Sequence, residues 1–177
     1  TILEIKNVRL SHNNAGKSVH IAISPTKNIN RFEWFLEKSI ELGVGEITPI
    51  ISRNSEREKL NYERLKKKMI TALKQSQNVF LPKINQLIKF DKFINLNFKN
   101  SQKFICHNNS SSAIELKNKL RKNKNYIILI GPEGGFSNTE IKESKVEGFQ
   151  QVILGNSRYR TETAGILACH TIHLFTR

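Results

Sequence analysis

A continuous apolar run at residues 126–130 (YIILI) constrains the fold more than any other part of this sequence. A strand without polar alternation is expected to be buried on both faces, as the central strands of parallel sheets are. Further strands and helices are predicted to alternate with it, with strands over 19–24, 46–52, 103–107 and 151–154 and helices over 62–77, 113–121 and 161–175. This alternation predicts an α/β fold, with a mostly parallel sheet covered by helices on both faces.

Capping signals mark two of the predicted helix starts. Asn30 and Glu33 have capping-box spacing for the first helix, and Ser137 and Glu140 have it for the helix that follows the apolar run. Gly43 is expected to end the first helix. The apolar residues of that helix are interpreted as core: Phe32, Trp34, Phe35, Leu36 and Ile40.

The charge of the chain favours a polyanionic partner. Its net charge is +14, a field that attracts nucleic acid. The helix predicted at 62–77 is strongly basic and could lie along a phosphate backbone, although a solvated surface gives the same pattern. An A/T-biased genome would also enrich Lys, Asn and Ile, so the charge alone leaves the partner open.

Two further sequence patterns limit the kinds of protein that this chain can be. No apolar run approaches the roughly 18 to 20 residues of a membrane span. Cys106 and Cys169 lie far apart without metal-ligand spacing, and Cys169, His170 and His173 lack the further ligands that a metal would need. We therefore expect no metal site, and a reduced, cytoplasmic compartment.

Two loops at predicted strand ends carry the candidate chemistry. Residues 131–135 (GPEGG) follow the apolar run, and residues 155–163 (GNSRYRTET) follow the last predicted strand. Ligands of open α/β sheets bind at the carboxyl ends of strands, where glycines allow a close approach of the backbone. The first loop has neither the P-loop nor the dinucleotide-binding pattern, so a nucleoside triphosphate site is not expected. Taken alone, it could also be a tight turn without a ligand.

Together the two loops resemble one family. Residues 129–137 (LIGPEGGFS) and 154–164 (LGNSRYRTETA) are similar to the RsmE family of 16S ribosomal RNA (uracil-N3) methyltransferases, within the SPOUT superfamily. Segments 25–43 and 72–82 match in the same order, so the resemblance covers roughly residue 19 to the end. Asn156 and Ser157 stand where Pro and Arg are frequent in that family, and Tyr159 stands where Leu is usual.

The resemblance implies an architecture and a partner. We expect residues 18–177 to form a SPOUT domain with a C-terminal trefoil knot, and residues 1–17 to be the tail of a mostly absent PUA-like RNA-binding domain. The implied cofactor is S-adenosyl-L-methionine, and the implied partners are 16S ribosomal RNA or the small ribosomal subunit and a second copy of the chain. A SPOUT enzyme for another ribosomal or transfer RNA base, or a non-catalytic RNA-binding module, is the alternative.

The resemblance also assigns residues to the site. Cofactor contacts are expected at Leu129, Ile130, Gly131, Pro132, Glu133, Gly134, Gly135, Leu154, Gly155, Ser157, Tyr159, Arg160, Thr161 and Ala164. Glu133 could bind the ligand or only fix its loop.

The candidate catalytic residues are Arg160 and Glu162. Arg160 is placed to stabilise a uridine anion electrostatically, and Glu162 to orient Arg160 or assist proton removal. Glu162 and Thr161 could equally cap the last helix. Candidate contacts to RNA phosphates are Lys27, Arg31 and Arg158, with a solvated surface as the alternative role for each.

Overall fold

The structure is a computed structural model that describes residues 19–78, 80–107 and 114–176. Strands and helices follow one another as β1 (Val19–Ile23), α1 (Ile29–Glu41), β2 (Glu46–Ile51), α2 (Tyr62–Ser76), β3 (Lys83–Ile84), β4 (Ile88–Lys89), α3 (Phe90–Ile94), β5 (Ser101–Cys106), β6 (Ile114–Glu115), β7 (Asn125–Ile130), α4 (Asn138–Val146), β8 (Gln150–Ile153) and α5 (Thr161–Thr176). A short 3₁₀ helix, Leu116–Asn118, follows β6. The predicted tail of an RNA-binding domain, residues 1–17, lies outside the described residues.

The strands form one parallel sheet. Their order is β3-β2-β1-β7-β5-β8-β6, and β4 also pairs with β2. β7 therefore lies at the centre, between β1 and β5, which confirms the prediction for the apolar run. β5 also separates β7 from β8, so the loops after β7 and β8 lie on either side of the end of β5.

The side chains of β7 point into two separate apolar cores. Tyr126, Ile128 and Ile130 pack with residues of α1, α2 and α5. Ile127 and Leu129 pack on the other face with residues of α3 and α4. All five are buried, and burial of side chains of this size contributes about 1.5–3 kcal/mol each. The sheet is covered on both faces, as predicted.

The start of α1 differs from the prediction. The N-cap is Asn28, whose side chain accepts a hydrogen bond from the backbone N–H of Asn30 at 3.0 Å. Glu33 is buried and accepts a hydrogen bond from Arg64 of α2 at 3.0 Å. The capping box predicted for Asn30 and Glu33 is therefore wrong, because Glu33 serves a tertiary contact. Gly43, with φ of 76°, follows the helix end as predicted.

The predicted core face of α1 is confirmed except at Trp34. Phe32 and Phe35 are fully buried, whereas Trp34 is 45% exposed. At about 100° per residue, position 34 lies opposite the stripe formed by positions 32, 35, 36 and 40. The interpretation of Trp34 as a core residue is therefore wrong.

Local sequence patterns gave a wrong prediction between β5 and β7 and a correct one after β7. The helix predicted over 113–121 is replaced by β6 and the 3₁₀ helix, because Ile114 pairs with Val152 of β8. After β7, Ser137 and Glu140 form the predicted capping box at the start of α4.

Candidate functional site

A pocket of about 280 Å³ lies at the carboxyl edge of β5, β7 and β8. This is the edge at which parallel α/β sheets bind ligands, and the volume is near the lower end of the about 300–1,000 Å³ of small-molecule sites. The lining comes from the three strand ends, the loops that follow and the first turn of α5: Cys106, His107, Ile130, Gly131, Pro132, Glu133, Gly134, Gly135, Phe136, Val152, Ile153, Leu154, Ser157, Arg158, Tyr159, Thr161 and Ala164.

A hydrogen bond joins the loops after β7 and β8. The hydroxyl of Thr161, at the start of α5, donates to the backbone carbonyl of Gly131 at 2.9 Å. Residues of both loops line the same pocket. The two glycine-bearing segments that the sequence singles out are therefore neighbours around one cavity.

The loop after β7 is held from outside the pocket. The N–H of Gly135 donates to the carbonyl of Pro132 at 2.8 Å and closes a tight turn. Gly135 has φ of 72°, a left-handed conformation that favours glycine. The side-chain amide of Asn54 donates to the carbonyl of Gly135 at 3.0 Å. The shape of this loop is thus fixed by its own turn and by the segment between β2 and α2.

Glu133 fastens the same loop to the connection between β1 and α1. Its Oε1 accepts a hydrogen bond from the backbone N–H of Lys27 at 3.0 Å. Arg57 holds that connection in turn, because its guanidinium donates to the carbonyls of Thr26 at 3.0 Å and of Lys27 at 2.6 Å. One carboxylate oxygen of Glu133 therefore serves the protein itself, which favours the loop-fixing role among its two predicted roles.

In the loop after β8, the side chain of Tyr159 packs over Gly155. Gly155 has φ of 149°, and a Cβ built there would lie 2.9 Å from the hydroxyl oxygen of Tyr159. Both the backbone conformation and the space therefore require glycine at this position. The ring of Tyr159 lies over Gly155 and also lines the pocket.

Most residues predicted to contact a cofactor line the pocket. The members of the predicted set found in the lining are Ile130, Gly131, Pro132, Glu133, Gly134, Gly135, Leu154, Ser157, Tyr159, Thr161 and Ala164. Leu129, Gly155 and Arg160 are not in it. Leu129 packs into the core on the α3 and α4 face of the sheet. Arg158, predicted to contact RNA, also lines the pocket.

Five lining residues were not predicted from the sequence. Phe136, Val152 and Ile153 lie within two positions of the predicted contacts Gly135 and Leu154 in the chain. Slightly longer predicted segments would have included them. Cys106 and His107 lie at the end of β5, far from both loops in sequence. Only the strand order, with β5 between β7 and β8, brings them to the pocket.

The two predicted catalytic residues have different surroundings. Arg160 is exposed, and its carbonyl accepts the first hydrogen bond of α5 from Ala164 at 2.8 Å. Glu162 is buried at 5% exposure, and its Oε1 lies 3.8 Å from Nε of Arg31 in α1. Neither side chain lines the pocket. Glu162 thus lies beside Arg31, which was predicted to contact RNA.

The remaining predicted RNA contact, Lys27, lies at the surface beside the pocket. Its ammonium forms an ion pair with Glu56 at 2.7 Å. The hydrogen bond to Glu56 raises the pKa of Lys27, so this side chain stays cationic. Arg158 is thus a positive group of the pocket wall, and Lys27 lies next to the lining residue Glu133. Arg31 lies farther along, beside Glu162 of α5.

The two lining residues at the end of β5 have shifted pKa values. Burial raises the pKa of the Cys106 thiol to about 12, so the reactive thiolate is not formed near neutral pH. Burial lowers the pKa of His107 below the usual 6.5, so its imidazole is neutral at pH 7.

The described ranges contain neither a cluster of metal ligands nor a helix that could span a membrane. Residues 19–78, 80–107 and 114–176 contain no group of three or more His, Cys, Asp or Glu side chains placed to hold a metal ion. In the same part of the chain, every helix is too short or too polar to cross a membrane.

The chain matches a known protein family over most of its length. The RNA methyltransferase domain family matches residues 13–173. Among curated relatives, the Ribosomal RNA small subunit methyltransferase E of Mesomycoplasma hyopneumoniae is 34% identical over 153 residues, which are 82% of this chain and 64% of the relative.

Solved structures show the same fold. A probable rRNA-methyltransferase from Porphyromonas gingivalis is 39% identical with a TM-score of 0.85, over 89% of this chain and 67% of that one. A Ribosomal RNA small subunit methyltransferase E from Neisseria gonorrhoeae, bound to S-adenosyl methionine, is 27% identical with a TM-score of 0.79, over 89% of this chain and 66% of that one. The chain spans about two thirds of the length of these relatives.

Proposed function

Because the chain belongs to the RNA methyltransferase domain family, we propose that it transfers a methyl group from S-adenosyl-L-methionine to N3 of a uridine in 16S ribosomal RNA. One observation carries the proposal. Two glycine-bearing loops, joined by the hydrogen bond from Thr161 to Gly131, line a single pocket of small-molecule size. The names of the relatives supply methylation and ribosomal RNA of the small subunit, and the N3 position of a uridine follows from the resemblance to the RsmE family.

The pocket fits an adenosyl group. Its walls include the loop backbone at Gly131, Gly134 and Gly135, where no side chain separates a flat ligand from amide and carbonyl groups. Ile130 and Leu154 supply apolar surface beside them. A small-molecule site of this kind combines apolar walls with a few polar groups that fix orientation.

The bound cofactor supplies an electrophilic methyl group, and the protein supplies position and charge. Holding the uridine and the methyl group in near-attack geometry can contribute on the order of 7 to 11 kcal/mol. The Thr161–Gly131 hydrogen bond and the Glu133–Lys27 hydrogen bond keep both loops in place for this task.

Charge stabilisation is the proposed role of Arg160. Arg160 is exposed and lies in the chain between Tyr159 and Thr161, which line the pocket, so a uridine arriving from solvent could meet it. Glu162 acts as a positioning residue in this proposal, because its carboxylate pairs with Arg31 and links the start of α5 to α1.

The proposed partner is the small ribosomal subunit. Arg158 lines the pocket, Lys27 lies next to Glu133 of its wall, and Arg31 lies beside Glu162 in α5; all three would contact RNA phosphates. The proposal includes a trefoil knot in residues 18–177, a homodimer, a cytoplasmic location and a PUA-like domain that precedes residue 18 in the intact protein. Without that domain we expect this chain to bind the cofactor but to methylate RNA slowly.

Two measurements test the function. Calorimetry should detect binding of S-adenosylhomocysteine to the purified chain, because this product fills the same pocket. Mass mapping of 16S RNA from a strain that lacks the intact gene should show the loss of one 3-methyluridine, which the restored gene returns. Cofactor binding with methylation at another base would indicate a related RNA methyltransferase, and absence of binding would indicate a module without catalysis.

A further inference from the structure

His107 is fixed at the point where the three strand ends meet. It directly follows the last residue of β5, and its backbone N–H donates to the carbonyl of Val152 in β8 at 3.1 Å. The loop after β7 lies on one side of this strand end and the loop after β8 on the other. His107 therefore lines the pocket between the two loops proposed to hold the cofactor.

The other ionisable groups of the pocket are poorly suited to take a proton from the substrate. The thiol of Cys106 stays protonated because burial raises its pKa to about 12. Glu133 uses Oε1 to hold the backbone N–H of Lys27. The guanidinium of Arg158 has no acceptor, and the hydroxyl of Tyr159 packs against Gly155.

Two segments next to the pocket residues in the chain supply no other group that could take the substrate proton. Glu162, in the first turn of α5, pairs with Arg31 and does not line the pocket. Residues 108–113, which follow His107 in the chain, have the sequence NNSSSA and carry no ionisable side chain.

The imidazole of His107 has the required protonation state. Burial lowers its pKa, so the ring is neutral at pH 7 and one nitrogen carries a free lone pair. A positioned histidine is the most frequent general base of enzymes, and such a base contributes about 10²–10⁴-fold to the rate.

We propose that His107 is the general base that removes the N3 proton of the target uridine, an inference that rests on the proposed function. The N3–H bond breaks, and its proton passes to the free nitrogen of the imidazole. The electron pair left on N3 forms the bond to the methyl carbon. The carbon–sulfur bond breaks as this bond forms, and its electron pair stays on sulfur. The imidazolium then releases the proton to water, so charge and atoms balance.

Replacement of His107 by Gln tests the proposal in the intact protein acting on small ribosomal subunits. We expect kcat at pH 7 to fall by about 10²–10⁴-fold, while the Kd for S-adenosylhomocysteine changes less than about threefold. The loss should shrink as the pH rises, because alkaline solvent removes the N3 proton without a base. His107→Asn serves as a second variant without the imidazole, and Lys92→Ala, on the exposed side of α3 and outside the pocket lining, is the control that should keep wild-type kcat.

The readouts separate the possible failures. Proton NMR of the imidazole should show that His107 titrates below pH 6.5 in the wild-type chain and that its signal is lost in the Gln variant. If the Gln and Asn variants fold, bind S-adenosylhomocysteine and keep wild-type kcat with an unchanged pH profile, His107 is not the base. If wild-type protein forms no 3-methyluridine at all, the proposed function fails instead.

Discussion

The Nε atom of Arg31 in α1 lies 3.8 Å from Oε1 of Glu162, a carboxylate that is buried in the first turn of α5. Its second oxygen, Oε2, has no hydrogen-bond partner among the described residues. Arg31 is therefore the cation that compensates this buried charge. The contact ties the helix at the pocket to the helix packed beside it.

Arg31→Ala should destabilise the protein because it leaves the Glu162 carboxylate buried without a cation. Loss of one partner of a fully buried pair costs about 3–5 kcal/mol, and the half-exposed guanidinium here reduces the expected loss to about 1–2 kcal/mol. Urea unfolding at pH 7 measures it. Glu162→Gln in the same background should recover part of the loss, and purely additive effects of the two changes would show that the pair does not interact.

Gly165→Ala should destabilise the protein although alanine is the better helix former. A Cβ at position 165 would lie 2.6 Å from a ring carbon of Phe35 and 3.1 Å from Cδ1 of Ile23. Overpacking of a core typically costs about 1–3 kcal/mol, which exceeds the gain of about 1 kcal/mol in helix propensity. Thermal unfolding should show a lower Tm. Phe35→Leu combined with Gly165→Ala should be less destabilised than the sum of the two single changes, since the clash is removed.

Gly155→Ala should weaken cofactor binding clearly and lower the free energy of unfolding only slightly. The new methyl group would push on the hydroxyl of Tyr159, and φ of 149° is unfavourable for alanine. Because Tyr159 lines the pocket, its displacement changes the wall of the proposed cofactor site. We expect at least a tenfold rise in the Kd for S-adenosylhomocysteine by calorimetry. Gly148→Ala, which also replaces a glycine of positive φ but lies at the other end of β8, is the matched control.

The stability of the fold should fall below pH 6.5 because of His20. This side chain is 13% exposed, and its Nε2 lies 2.7 Å from Oγ1 of Thr48. Burial lowers its pKa from 6.5 to about 4, so between these values the unfolded chain binds a proton that the folded chain does not. Stability is therefore lost as the pH falls from about 6.5 towards 4, by up to about 3 kcal/mol.

The His20→Gln variant isolates this contribution. Glutamine has no titrating group in this range, so the difference in unfolding free energy between the two proteins should change with pH chiefly between about 4 and 6.5. Urea unfolding at several pH values gives both curves. Parallel curves for wild type and variant would show that His20 titrates alike in the folded and unfolded chains.

The sequence predicted the parts of the site that depend on neighbouring residues. The apolar run of β7, the glycine turn after it and the capping box of Ser137 and Glu140 are all defined within a few positions. The second loop was likewise placed at a strand end, and the family resemblance joined it to the first loop, beside which it lies.

The parts of the fold and of the site that the sequence did not predict depend on contacts between segments distant in the chain. His107 reaches the pocket because β5 lies between β7 and β8, an order that no local pattern encodes. Ile114 joins a strand for the same reason, since its partner Val152 is 38 positions away. Glu33 had the spacing of a capping residue, yet Arg64 of α2 binds it instead. Long-range contacts thus overrode local propensity in each case.

The exposed face of α2 should contribute to RNA binding. Lys67 and Lys74 lie on the side of the helix opposite the buried Leu65 and Met69, and neither has an acidic partner within 4 Å in the described part of the chain. They are about 10 Å apart along the helix axis. At the start of α2, Arg64 donates to Asn30 of α1 at 3.2 Å, and the next residue of α1, Arg31, pairs with Glu162 of α5. We therefore expect the two lysines to continue, along α2, the positively charged surface that Arg31 and Arg64 form.

Replacing both Lys67 and Lys74 by Ala should weaken binding to ribosomal RNA regardless of sequence. Each lost phosphate contact reduces the slope of log K against log salt by about one unit, so the double variant should lose up to about two. The Kd for S-adenosylhomocysteine should not change. Lys92→Ala removes one positive charge from α3, which covers the opposite face of the sheet, and shows how much a lysine far from α2 changes the slope. If the salt slope of the double variant changes no more than that of Lys92→Ala, the lysines of α2 form only a solvated surface.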